Sequence, residues 1–354
     1  MAGQITALSA LCSAGNGVEQ IWASIRAGLS PIGNSGILDR RGEPIRMGLV
    51  PQAALQADLP PQIAALPWPA RARRMLRLGT PALRAVLAQA GEAPLRLFLG
   101  LPQLTLEQAP WLRGFALHLA TMAGTTLDVA NSRIVPSGRA AALLALELAL
   151  EALAQDPERP VIVGGVDTYL DLNVLAALDA EGRLLGSAVS DGLLPGEGAA
   201  FLVVSHPAAS GEGATVTIEA AASARDPGHR TGTAPARGEG LAMAIEQLRA
   251  RLPAQGAPIG ATFAGLTGES FDAKQWGVAR IRHADFFAAD APMSHPADCF
   301  GDAGAALGAL LLAIGARAIS RGDRPAPALV WAASDGETRA CALLSSVHTR
   351  GVRG

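Results

Sequence analysis

His295, Asp298 and Cys299 lie within five residues of one another and form the one arrangement in this sequence that places a nucleophile beside a base. A thiol attacks as its thiolate, so a cysteine next to a carboxylate or imidazole suits acyl transfer or thioester hydrolysis. The spacing matches no motif, and a buried cysteine is more often inert packing. Ser137 is a second candidate nucleophile. It stands just ahead of a long apolar stretch, where a serine is more often a helix N-cap. Glu269 is a candidate base in a glycine-containing turn, where a carboxylate is expected to be solvated. The three cysteines, Cys12, Cys299 and Cys341, are scattered, and the six histidines are far apart. Neither a disulfide framework nor a metal site is implied, and no cofactor is expected.

The elements that position these residues have the pattern of an α/β protein. Ile5 to Leu11 is expected to be a strand, followed by a helix from Val18 to Ala27 that closes on Gly28. Leu29 to Ala70 is punctuated by Pro and Gly and is expected to be loop-rich. Pro81 to Gln89 is predicted helical, with Thr80 as its N-cap and the proline in the first turn. Leu95 to Leu101 is a buried strand, and Thr105 to Met122 a helix weakened near Pro110. Ser137-Gly138 opens a helix over Arg139 to Ala154 that is apolar on nearly every side, the mark of a buried helix. Val161 to Val166 follows as a strand, with Gly164 and Gly165 expected to make a tight turn.

Gly198 to Val204 is another strand, and Ser210 to Gly213 a natural seam. The second half repeats the plan: strand Val216 to Ala222, helix Gly240 to Leu252, strand Ala261 to Leu266 and a buried helix Gly304 to Ala318. The strands Pro327 to Ala333 and Cys341 to Ser346 pair at the end. Two halves are therefore expected, over residues 1–208 and 214–348.

The chain has 354 residues, 49% hydrophobic and 17% charged, with a formal net charge of −2. That composition is globular and sufficient for a substantial core. It gives no electrostatic footprint for nucleic acid and no basic cluster for an anionic membrane surface. No apolar run reaches membrane-spanning length. A cytoplasmic protein is expected.

Four stretches resemble the β-ketoacyl synthase branch of the thiolase superfamily. They are the opening ITALSALCSAGNGVEQIWASIRAG, then VIVGGVDTYLD, then SDGLLPGEGAAFLVV from Ser190, and GDAGAALGALLLA from Gly301. Asp191-Gly192 followed by Gly196-Glu197-Gly198-Ala199 is the most specific of these matches. The resemblance implies a thiolase-like αβαβα layered fold of two similar halves, usually dimeric. Condensation in that family needs a cysteine at the N-terminus of the buried helix and two histidines that stabilise the carbanion. Spacing from Gly164-Gly165 puts Arg139 at the cysteine position, with Gly138 and Ser137 beside it. The first histidine's loop corresponds to Gly265, Leu266, Thr267, Gly268 and Glu269. The second histidine's position falls on Asp298, and the family's closing glycine loop on Ala333, Ser334, Asp335 and Gly336. With nucleophile, both histidines and closing loop altered, the usual condensation is unavailable.

The first function expected is a non-enzymatic adaptor or chaperone. The stretch Leu178 to Leu184 (LDxEGRL) and the GES-FDAKQWG stretch from Gly268 resemble short, degenerate ketosynthase-like proteins linked to type VI secretion effector loading. Its partner would be a secretion effector or spike component. The alternatives are a subunit like a chain-length factor, paired with an active ketosynthase or its acyl carrier protein, and an acyltransferase or thioester-processing enzyme using Cys299 or Ser137.

Overall fold

In the computed structural model the described residues are 2–56, 58–90, 95–207, 216–254 and 256–346. The seam expected at Ser210 to Gly213, and the limits drawn at residues 208 and 214, lie outside them. The first half contains β1 (Gly3–Cys12), β2 (Gly15–Asn16), α1 (Val18–Arg26), a hairpin of β3 (Gly33–Leu38) and β4 (Pro44–Met47), α2 (Pro61–Ala64) and α3 (Ala70–Ala90). It continues through β5 (Arg96–Leu101), α4 (Leu112–Ala123), β6 (Arg133–Pro136), α5 (Ala141–Gln155), β7 (Val161–Thr168), α6 (Leu172–Ala180) and β8 (Glu197–Ser205). The second half comprises β9 (Val216–Arg225), α7 (Glu239–Ala250), β10 (Ala261–Ala264), α8 (Ser270–Arg282) and β11 (Met293–Ser294). It ends with α9 (Ala297–Phe300), α10 (Leu307–Ser320), β12 (Ala328–Ala333) and β13 (Thr338–Ser346).

The strands run in the order β11-β10-β12-β13-β9-β1-β8-β7-β5-β6, with β2 paired to β1 off this path. Outward from the β1–β9 joint, both halves repeat one scheme. The first strand of the half pairs antiparallel with its last, and the last pairs antiparallel with the strand before it. Two parallel pairings then complete each side. This is the duplication of element order expected from the sequence. The joint itself is slight, with only Gly3 opposite Ile218 and Gln4 opposite Thr217.

Strand alternation then builds layers, because successive side chains point to opposite faces. Phe98, Leu202 and Val204 of the first half, and Val330, Ala332 and Leu344 of the second, share one core with α5 and α10. Leu97, Leu99, Phe201 and Val203 face the other way, onto α3 and α4. Leu329, Trp331, Cys341 and Leu343 face α7. The stack is therefore helices, sheet, α5 with α10, sheet, helices. The all-round apolar character of α5 and α10 is explained by their central position.

Three local expectations need correction. The helix predicted to start at Pro81 runs from Ala70, and Pro81 lies inside it. An internal proline leaves the carbonyl four residues back without its donor. Here that carbonyl, on Arg77, accepts from the Gln56 N–H at 3.1 Å, while Thr80 Oγ1 donates to Leu76 O instead of capping. Gly164 and Gly165 make no turn; both lie within β7. The helix expected over Thr105 to Met122 begins only at Leu112: Thr105 and Gln108 cap a single turn, closed by the Ala109 N–H on Thr105 O at 2.9 Å, and Pro110, which has no N–H, interrupts it.

Candidate functional site

The N-termini of α5 and α10 meet at the centre of the molecule. Each is preceded by a turn of 3-10 helix, Gly138–Ala140 and Gly304–Ala306. Gly165 allows this approach, since a Cβ there would stand 2.4 Å from the Ala305 carbonyl oxygen. Gly304 has φ +54°, and its missing side chain leaves room for Asp167, whose carboxylate accepts the Ala305 N–H at 2.9 Å. A positive φ with no space for a Cβ is a position only glycine fills without strain.

Arg139 projects from the first of these turns into a set of carboxylates. Its Nε donates to Ala333 O at 2.9 Å, one terminal nitrogen to Asp302 at 3.1 Å, and the other to Asp335 at 2.8 Å. Glu269 and Asp272 stand 3.8 and 3.7 Å away. Arg139, Glu269, Asp272 and Asp302 are all buried. Tyr169 completes the inner group by donating its hydroxyl to Asp302 at 2.9 Å. Burial acts to raise the Asp335 carboxyl, yet Arg139, Arg183 and Arg230 outweigh it and hold the group well below the usual carboxylate range. Asp272 shifts the other way, because burial outweighs Arg139 and the Thr267 hydroxyl.

Arg183 ties the outer edge together. It grips Glu269 through Nε and a terminal nitrogen, both at 2.8 Å, and reaches Asp335 at 3.0 and 3.1 Å. This two-pronged geometry is specific to a guanidinium and not available to lysine. Arg230 adds ion pairs to the same two acids at 3.1 and 3.3 Å. Behind them Arg339 joins Gln275 to the carbonyls of Ser334 and Gly336. A separate cluster lies nearby: Glu197, fully buried, accepts from Arg74, the Thr168 hydroxyl and the Val50 N–H.

A permanently protonated guanidinium offers neither a nucleophile nor a base. The carboxylates around it are engaged as acceptors, so the arrangement neutralises charge and fixes the two helix ends.

The residues marked in the sequence are sorted by this geometry. Arg139, Gly138, Thr267, Glu269 and Ser334 come together, and Gly265 lies against Trp331 O and Ala332. Glu269 is 4% exposed, so its expected solvation is corrected: two arginines draw it inside. Asp298 is also corrected. Its side chain is 60% exposed on α9, and the carboxylate that meets Arg139 is Asp302, four residues on. Asp272, Asp302, Asp335, Tyr169, Arg183 and Arg230 are components that spacing alone does not single out as site residues. The signal for Asp302 was the Gly-Asp pair directly ahead of the buried helix.

Ser137 makes no capping hydrogen bond. Ser334 does that work from the other half, accepting the Ala140 N–H at 3.0 Å and donating to Ser137 O. Ser334→Ala is therefore expected to cost about 1 kcal/mol and Ser137→Ala much less, by urea denaturation. Equal losses would remove Ser334 from this role.

Cys299 and His295 stay outside the ionic cluster. His295 is exposed and stands 3.3 Å from Asp298, while Cys299 is buried. Burial, and then the negative charge of Asp298, push the Cys299 thiol up to about 11. Its thiolate fraction at pH 8 is thus on the order of one in a thousand. Alkylation by iodoacetamide followed by intact mass is expected to be negligible at pH 8 and to rise as pH approaches 11. Rapid labelling at pH 8 would restore Cys299 as a nucleophile.

Among the described residues no group of His, Cys, Asp and Glu is arranged to hold a metal ion. No helix among them is long and apolar enough to cross a membrane.

No protein-family profile and no curated protein matches the sequence. Solved structures do match the fold. A type II polyketide synthase acyl-carrier protein in complex with its ketosynthase bound to the hexaketide aligns with TM-score 0.76 and 17% identity, over 98% of this chain and 99% of that one. The ketosynthase from module 6 of the bacillaene synthase of Bacillus subtilis 168 aligns with TM-score 0.78 and 15% identity, over 98% and 72%. The ishigamide ketosynthase/chain length factor gives 0.70 and 18%, over 98% and 100%. The fold is thus thiolase-like, of the ketosynthase and chain-length-factor kind.

Proposed function

We propose that this chain is a non-condensing ketosynthase-like protein that acts through protein contacts, as a dimeric, cytoplasmic adaptor in type VI secretion effector loading. The observation that carries the non-condensing part is Arg139, which fills the start of α5 and binds carboxylates where the condensing family's thiol would stand. The secretion link rests on the sequence resemblance, and on where its marks fall. The LDxEGRL stretch supplies Arg183, and the GES-FDAKQWG stretch supplies Glu269, Asp272 and Gln275. The two stretches that carry this resemblance thus supply four members of the ionic cluster and its surroundings, around Arg139, Asp302 and Asp335 from elsewhere in the chain.

A second reading, a chain-length-factor-like subunit paired with an active ketosynthase, draws support from the similarity in fold to the ishigamide ketosynthase/chain length factor. Affinity purification of the tagged protein from its native cells, with mass spectrometry, separates the two. Recovery of an effector or spike component is expected. Recovery of an intact ketosynthase or an acyl carrier protein would install the second reading. An acyl adduct formed from acyl thioesters and abolished by Cys299→Ala would overturn both in favour of altered acyl chemistry.

A further inference from the structure

Beside the ionic cluster, and sharing Thr267 and Glu269 with it, is a groove of about 660 Å³. Three segments wall it: the loop leading into α8, the stretch between α6 and β8, and β11 with α9. Leu185, Leu194, Leu266, Ala273 and Met293 make its surface apolar. Met293 is 40% exposed, one of few large apolar side chains among the described residues with so much free surface. A flexible thioether at the mouth of such a groove suits contact with apolar groups of varied shape. The volume lies in the range of sites that take small ligands or a few side chains.

The charged side chains that line the groove itself are all acidic, while Arg183, Arg230 and Lys274 stand on the neighbouring pocket that shares Asp191 and Glu269. Asp191 and Asp298 are exposed at the rim, and no Lys or Arg lines the groove. Both Asp191 oxygens accept from Ser270, through its N–H and its hydroxyl at 2.6 Å each. Those donors are neutral and hold Asp191 in its charged form, with Arg230 adding a weaker pull from outside the groove. Asp298 stands beside His295 and the Cys299 thiol, and no Lys or Arg among the described residues pairs with it. Glu269, the third acid, is already held from behind by Arg183 and Arg230. An acyl chain on a phosphate-bearing carrier arm would bring a further negative charge against this rim. A cationic apolar segment complements both features at once.

We infer that the groove docks a short segment of a partner protein in which an apolar side chain is flanked by Lys or Arg. The inference rests on the reading that this protein works by binding another protein, and it names the surface used.

Two labelled hexapeptides test it by fluorescence anisotropy: Leu-Arg-Leu-Leu-Arg-Leu, and the same peptide with glutamate in place of arginine. The arginine peptide is expected to bind and the glutamate peptide not to bind. Ala273→Trp fills the groove from an exposed helical position without changing any charge, and is expected to abolish binding. Asp191→Asn with Asp298→Asn is expected to weaken it roughly three- to tenfold. Equal binding of both peptides, no binding of the arginine peptide, or unchanged binding by Ala273→Trp would overturn the inference. Affinity purification with Ala273→Trp separates this from the function itself. A native partner retained by that variant removes the groove but keeps the adaptor, whereas a wild-type protein that recovers no partner removes the adaptor.

Discussion

Arg139→Ala is expected to destabilise the protein by about 3–5 kcal/mol at neutral pH, the cost of stripping a buried charge cluster of its central cation. The loss follows from what is left behind. Asp302, Asp272 and Glu269 remain buried, and the Ala333 carbonyl loses its donor. Arg183 and Arg230 still reach Glu269 and Asp335, but the one cation among the described residues that pairs with Asp302 and Asp272 is gone. The dependence on pH gives the sign of the effect. In the wild type Asp335 titrates below its unfolded value, so its contribution is full above the ordinary carboxylate range and fades as pH falls through and below about 4. In the variant, carboxyls without their cation titrate higher and are relieved by protonation. The gap between the two proteins is therefore expected to be largest at pH 7 and to narrow as pH drops toward 4. Arg139→Lys is expected to recover only part of the loss, because one ammonium cannot reach Ala333, Asp302 and Asp335 in the guanidinium's fork geometry. Urea unfolding across that pH range decides it. A loss below about 1 kcal/mol at pH 7, or one that grows on acidification, would remove Arg139 from the centre of the fold.

Gly165→Ala is expected to cost about 1–3 kcal/mol through overpacking alone. The added methyl would press on the Ala305 oxygen and on Ala306 Cα, at 2.4 and 3.1 Å. These are backbone atoms at the start of α10, so no side chain can swing away. The matched control is Gly277→Ala on α8, where a Cβ meets nothing within 4 Å. There the change is expected to be neutral, or stabilising by about 0.5–1 kcal/mol, as usual for an unhindered helical glycine. If the two variants unfolded alike, Gly165 would not set the approach of the helix ends.

Much of the fold was legible in sequence because its strongest signals are periodic or all-apolar. The runs around β5, β7 and β8 are buried on both faces and contain few competing residues. The weak points had long-range causes. A proline inside α3 is tolerated because Gln56, far off in sequence, supplies the missing donor. Ser137 has the right type and place for a cap, yet Ser334 from the other half occupies that role. The site was harder still. Glu269 in a turn looks solvated until Arg183 and Arg230 close over it, and both come from distant loops. Asp302 was passed over in favour of Asp298 because the one-turn α9 cannot be placed by periodicity.

The ionic cluster also crosses between the two halves. Arg139, Tyr169 and Arg183 belong to the first, while Glu269, Asp272, Asp302, Asp335 and the capping Ser334 belong to the second. Among the described residues the sheet joins those halves through two residue pairs. Sequence change at this point is consequently ratcheted. A single substitution that put a thiol at position 139 would remove the central ionic tie between the halves, leave their shared apolar core and the Arg183 pairs to hold them, and strand several acids in the interior. A tolerated change at position 139 therefore has to be accompanied by changes in its acids, so these positions are tied to one another across the two halves.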